Sequence, residues 1–171
     1  RKKRIDSKLR ATNPAWQIVP FKEGMDCSNL ENHAVEEYPT ANGFADYALF
    51  VKGKLLGFIE AKKVSVNPQN FLEQAKRYSR TAFQGVGNWD GYRVPFLYST
   101  NGELIWFLDV RNEKRVSRQI SNFHTPKALE TFFSSDNRSA YKWLESNSPD
   151  TIKRLRYYQK DAIQSIETAL K

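Results

Sequence analysis

Apolar residues along this chain fall into runs of two kinds. Between Phe44 and Val51, and again between Leu55 and Ala61, nearly every position is apolar, as in strands covered on both faces. The basic turn Lys52-Gly53-Lys54 between them predicts a hairpin. Trp16 to Phe21 predicts an earlier strand. Pro95 to Thr100 and Leu104 to Val110 predict two more, joined by the tight-turn pair Asn101-Gly102. Elsewhere the apolar positions recur at helical spacing. Arg1 to Arg10 carries Ile5 and Leu9 four apart and predicts one or two helical turns, stopped at Asn13-Pro14. Asn67-Pro68 is a helix entry, with Phe71, Ala75, Tyr78 and Ala82 as its buried face and Gly85 and Gly87 as its end. Three further helices are predicted over 126–133, 138–145 and 159–170, the last with Ala162, Ile163, Ile166 and Leu170 on its apolar side. The acidic, polar stretch from Lys22 to Pro39 reads mostly as loop, with His33 a surface histidine. The sum is an α/β (α+β) fold: a central mixed β-sheet flanked by helices, with a helical C-terminal extension. Ser146-Asn147-Ser148-Pro149-Asp150 reads as a linker dividing 1–148 from 149–171.

Composition narrows the function. The chain has 171 residues, enough for one core of ordinary size, and 40% hydrophobic with 13% aromatic residues marks it as globular. Lys and Arg number 27 against 19 Asp and Glu, a formal net charge of +8. That excess favours an anionic partner, although a merely soluble basic surface would carry the same charge. A single cysteine, Cys27, excludes an internal disulfide framework and suits a reducing cytosol. With only two distant histidines beside it, no zinc ligand cluster exists. No run approaches the ~20 apolar residues that span a bilayer, and no signal peptide is visible, so the expected location is cytoplasmic. The chain opens on Arg1, as expected of a piece of a larger protein.

Ionisable groups inside buried strands are costly unless they pair or bind something. Strand side chains alternate with period two, so Glu60 and Lys62 share a face. A hairpin that pairs Val51 with Leu55 sets Asp46 opposite Glu60, with Cα atoms ~4.5–5.5 Å apart. Mg²⁺ takes hard oxygen ligands, commonly one or two carboxylates with waters and a phosphate. Asp46, Glu60 and the backbone carbonyl of Ala61 are therefore candidate ligands. Lys62 beside them could stabilise charge building on a phosphodiester, or position or deprotonate the attacking water. The bland alternative is a surface ion pair, which such spacing often produces by chance. Three features favour chemistry: the charges end buried strands, the strands are adjacent, and a basic helix follows. Gln74 and Tyr78 project together from that helix, one turn apart; core packing alone would also account for the tyrosine ring. The basic N-terminal helix either offers a positive face to a phosphate backbone or is simply solvated. The same two readings hold for Lys114, Arg115 and Arg118.

These residues carry a family resemblance. Asp46 followed by Glu60-Ala61-Lys62 is similar to the PD-(D/E)xK nuclease motif, with Phe44-Ala45 where the motif's name places a proline. More specifically, four segments resemble the N-terminal nuclease domain of the restriction (motor) subunit of type I restriction–modification enzymes. They are Ala45-Asp46-Tyr47-Ala48-Leu49, Phe58-Ile59-Glu60-Ala61-Lys62-Lys63, Gln74-Ala75-Lys76-Arg77-Tyr78 and Ser99-Thr100-Asn101-Gly102. The resemblance covers roughly 1–111 and implies a restriction-endonuclease-like fold and Mg²⁺-dependent cleavage of double-stranded DNA without local sequence specificity. It implies Asp46 and Glu60 as metal ligands, Lys62 as the catalytic lysine, and Gln74 and Tyr78 as an accessory DNA-positioning motif. The family often carries a further acid on its first helix, which Asp6 does not convincingly match. Leu155-Arg156-Tyr157-Tyr158-Gln159 with Ala162-Ile163 is similar to the segment that opens the helicase-like motor, where a glutamine contacts adenine. Gln159 is thus an ATP contact only in a full-length enzyme, because the chain holds no Gly-rich phosphate loop. The implied partners are double-stranded DNA and the specificity and methylation subunits of a bacterial or archaeal restriction complex, with no membrane. Two other readings stand beside this one: a different nuclease of the same motif, such as a junction resolvase, and a non-catalytic basic module that binds DNA or docks a motor.

Overall fold

The structure, a computed structural model, describes residues 2–112, 114–135, 143 and 146–170. The chain separates into two compact units, one ending at Phe133 and the other beginning at Ser134. In the first, a mixed sheet of seven strands runs in the order β1 to β7. The strands are β1 (Gln17–Pro20), β2 (Asn32–Thr40), β3 (Gly43–Val51), β4 (Lys54–Ala61), β5 (Phe96–Thr100), β6 (Ile105–Asp109) and β7 (Arg118–Ile120). The pairs β1–β2 and β4–β5 are parallel and the rest antiparallel. Helix α1 (Lys2–Arg10) buries Ile5 and Leu9 in one layer of core, together with Tyr47, Ile59, Tyr98 and Leu129 of α3 (Pro126–Ser134). Helix α2 (Leu72–Arg80) covers the other layer, packing Leu72, Ala75 and Tyr78 with Ala48, Phe58 and Leu97. The strands flanking the centre are covered on both sides, which is why β3 and β4 read as continuous apolar runs.

Four expectations are corrected, the last of them the hairpin register. The stretch from Lys22 to Pro39 is not mostly loop, because its second half is β2, which pairs with both β1 and β3. Within it Ala34, Val35 and Tyr38 are buried, and His33 is half-buried with Nδ1 sealed from solvent. Burial pushes the His33 imidazole below its usual pKa. Helix α2 ends at Arg80, short of Gly85 and Gly87, with the Thr81 hydroxyl bonded to the Arg77 carbonyl. A short 3-10 turn, Pro68–Phe71, precedes it, and the Asn67 side chain caps that turn by accepting from Gln69 N.

The β3–β4 hairpin sets the register of the candidate residues. Lys52 and Gly53 both take positive φ, 49° and 72°, the geometry of a two-residue turn that matches strand twist. This turn pairs Val51 with Lys54, not with Leu55 as the spacing alone suggests. A register shift between Leu49 and Phe50 then leaves Leu56 as an extra residue, and from Leu49↔Gly57 onward the frame runs to Tyr47↔Ile59. Continued by one residue, that frame sets Asp46 beside Glu60.

The second unit holds a 3-10 turn, Pro149–Thr151, capped by Ser148, and helix α4 (Tyr157–Leu170). Lys160 Nζ donates to the Asp150 carbonyl at 3.1 Å. The helix expected over 138–145 lies almost wholly outside the described residues. Among the described residues no helix is long and apolar enough to cross a membrane.

Candidate nuclease site

The N-terminal end of β3 and the C-terminal ends of β4 and β5 meet at one end of the sheet, where the ionisable groups collect. Lys62 Nζ lies 2.7 Å from Glu60 Oε1 and also donates to Gln74 Oε1 at 2.7 Å. The Gln74 Nε2 donates in turn to the Tyr78 hydroxyl at 2.6 Å. A lysine ammonium can only donate, so the amide oxygen of Gln74 must face it, which fixes the orientation of that side chain. Phe71 closes the other side, its ring centroid 4.8 Å from the ammonium. Asp46 Oδ2 accepts from Ala61 N at 2.6 Å, which ties the first acid to the backbone between the other two charges. The structure thus brings Asp46, Glu60, Ala61, Lys62, Gln74 and Tyr78 together. The Tyr78 ring is buried against Phe58 at 6.2 Å, as core packing requires, while its hydroxyl accepts from Gln74.

Glu60 is the most enclosed of these groups, with 5% of its side chain exposed against 22% for Lys62. Burial raises its pKa above the usual carboxylate range, and the nearby Asp46 charge adds to the rise. Lys62, and more weakly the nearby Tyr78 hydroxyl, oppose it. Glu60 Oε2 is buried without a hydrogen-bond partner, and so is the hydroxyl of Ser99, its neighbour across the β4–β5 ladder. Buried unpartnered oxygens are costly. Here they lie beside a second carboxylate, and hard oxygens with a carboxylate pair suit a divalent cation such as Mg²⁺. Among the described residues no group of three His, Cys, Asp or Glu that could hold a metal ion gathers. Asp6 is engaged elsewhere, accepting from the Tyr47 hydroxyl at 2.7 Å.

One supporting residue escaped the sequence reading. Asn101 is not only a turn residue. Its buried side chain donates to the Val64 and Val66 carbonyls and accepts from the Glu103 and Leu104 amides. It therefore clamps the loop after Lys62 onto the β5–β6 turn. The sequence signals were the Asn-Gly turn and the Ser99–Gly102 segment of the resemblance, and neither says anything of side-chain burial. Gln159, the expected adenine contact, uses its side-chain oxygen to accept from Arg156 N at 3.0 Å, capping the first turn of α4.

Residues 16–133 match the family model described as type I restriction enzyme EcoKI endonuclease subunit, second domain. The chain belongs to this family. It is 28% identical to the type I restriction enzyme EcoKI endonuclease subunit of Escherichia coli (strain K12), over 97% of this chain and 18% of that relative. The chain thus spans about a fifth of the relative's length. No solved structure matches it.

Proposed function

We propose that this domain hydrolyses phosphodiester bonds of double-stranded DNA, without local sequence specificity, as the cleavage domain of an ATP-driven type I restriction enzyme. The observation that carries the reading is the contact between Glu60 and Lys62, with Asp46 held against the Ala61 amide beside them. Asp46 and Glu60, with the Ala61 carbonyl, would hold Mg²⁺, which when bound supplies Lewis-acid activation of water and neutralises phosphate charge.

The chain's own residues do the rest. Lys62 presents its ammonium to the phosphate oxygens on which negative charge builds. Gln74 holds that ammonium in place through its amide oxygen and is itself anchored by the Tyr78 hydroxyl. Phe71 shields the lysine from water on one side. In the whole enzyme an ATP-dependent motor would deliver DNA, with residues 149–171 as linker and first motor helix. Gln159 would contact adenine there. Sequence recognition would fall to another subunit, with the specificity and methylation subunits as partners in a bacterial or archaeal cytoplasm. The decisive experiment is Lys62→Ala in the assembled enzyme with Mg²⁺. Plasmid linearisation should fall by at least about 100-fold, the loss typical of one transition-state charge contact, while ATP hydrolysis continues. Cutting at the parental rate would reject the assignment.

A further inference from the structure

We infer that the exposed face of α1 is a docking surface for the sugar–phosphate backbone of duplex DNA entering the cleavage site. This inference rests on the proposed function and names the surface that would hold its substrate. Helix α1 carries Lys2, Lys3, Arg4, Lys8 and Arg10 against the single acid Asp6. Asp6 is turned into the fold by its bond from the Tyr47 hydroxyl. Ile5 and Leu9 fix the buried stripe, so Lys3, Ser7 and Arg10 face solvent at helical spacing.

The face is joined to the site at both margins. On one side Lys2 and Ile5 border a small depression shared with Asp46 and Ala61. On the other, a wider groove runs between Lys3, Arg4, Ser7 and Lys8 and the Gly102–Glu103 turn. That turn follows Thr100, whose carbonyl accepts from Lys62 N at 2.7 Å. Acidic groups partly neutralise the surface: Glu36 holds Lys2 at 2.9 Å, Glu37 lies at the smaller depression, and Glu103 pairs with Arg4. Lys8 donates to the Glu103 backbone carbonyl at 3.2 Å. Lys3 and Arg10 stand ready for phosphate, and Arg4 joins them once Glu103 releases it.

The test is fluorescence anisotropy of the 171-residue chain with a labelled mixed-sequence duplex, in EDTA across a salt series. EDTA separates docking from cleavage, so failure of the nuclease reading leaves this result standing, and the reverse. Each lost phosphate contact lowers the slope of log affinity against log salt by about 0.9. Lys3→Ala with Arg10→Ala should therefore reduce the slope by roughly 2. Glu103→Gln should tighten binding by about twofold or more by releasing Arg4, a gain that a purely structural role for the helix would not produce. Lys153→Ala with Arg154→Ala, which removes equal charge from the second unit, should leave the slope unchanged. The proposal is overturned if the α1 pair leaves affinity and slope at parental values with Glu103→Gln neutral. It is equally overturned if the control pair lowers the slope as much as the α1 pair.

Discussion

Lys62 and Gln74 meet at 2.7 Å across the gap between β4 and α2, and that bond decides where the ammonium points. The same ammonium reaches Glu60, so its position is held from two sides by groups on different elements. Positioning of this kind is worth much more to a reaction rate than to stability.

Gln74→Ala should therefore lower the cleavage rate of the assembled enzyme by about tenfold or more at saturating DNA, with KM and duplex affinity within about twofold. Tyr78→Phe keeps the ring against Phe58 and removes only the anchor of Gln74, so it should move the rate in the same direction by less. A Gln74→Ala enzyme with parental rate, measured by single-turnover plasmid cleavage, would show that the amide does not position the lysine.

Glu60 carries an opposite penalty. Its pKa is raised in the fold above the ordinary carboxylate value, so the folded state binds its proton more tightly than the unfolded state does. The stability it contributes is complete at acid pH and is lost as pH rises through the raised value. Glu60→Gln imitates the protonated form. In metal-free buffer at neutral pH it should leave Tm equal to or higher than the parent's, while calorimetry shows Mg²⁺ affinity reduced at least about tenfold. A clear fall in Tm together with unchanged Mg²⁺ affinity would contradict both halves.

His124 gives acid sensitivity of the other sign. Its ring sits 2.7 Å from the Tyr98 hydroxyl, and burial drops its pKa to about 4, with the Arg118 charge adding to the fall. Tyr98 is fully buried and held far above the usual phenol range, so its hydroxyl donates and the neutral imidazole accepts. The stabilisation is present above the unfolded value near 6.5 and is lost as pH falls from there toward 4. Urea midpoints of the parent should drop across that window, and those of His124→Asn should drop less. Equal slopes would remove His124 as the cause.

Gly53→Ala tests the hairpin. The added Cβ would need φ near 72° and would meet the Ser28 carbonyl oxygen at 2.3 Å. The expected cost is about 1–3 kcal/mol, a Tm fall of roughly 2–4 °C for each kcal/mol in a chain of this size. An unchanged Tm would mean that the turn relaxes without strain.

The candidate residues were legible because Asp46, Glu60 and Lys62 stand within or at the end of continuous apolar runs, and the period-two alternation of strand side chains converts their spacing directly into a shared face. Strand β2 was not legible in the same way. Its buried Ala34, Val35 and Tyr38 are interleaved with Glu31, Glu36 and Glu37 at the acidic end, and Pro39 reads as a breaker. Lys2 satisfies Glu36 from a helix about thirty residues away in sequence, a partnership that no local pattern reveals. Strand β7 is three residues long, largely exposed and paired on one side only, so its apolar signal is nearly absent. Asn101 shows the same limit at the site, because two of its four bonds, to the Val64 and Val66 carbonyls, depend on the β4–α2 loop folding over it.

Leu56 supplies one residue more than the opposing strand can match. The tight turn fixes one phase for β4, and the site needs the other; the surplus residue converts between them. Shortening the strand there by one residue would rotate everything beyond it by half a pleat, carrying Ile59 and Ala61 to the side that faces α2 and burying an acid and an ammonium among hydrocarbon. Charged groups and core would then have exchanged places, which makes the spacing between the turn and Glu60 a quantity the domain cannot vary by a single residue.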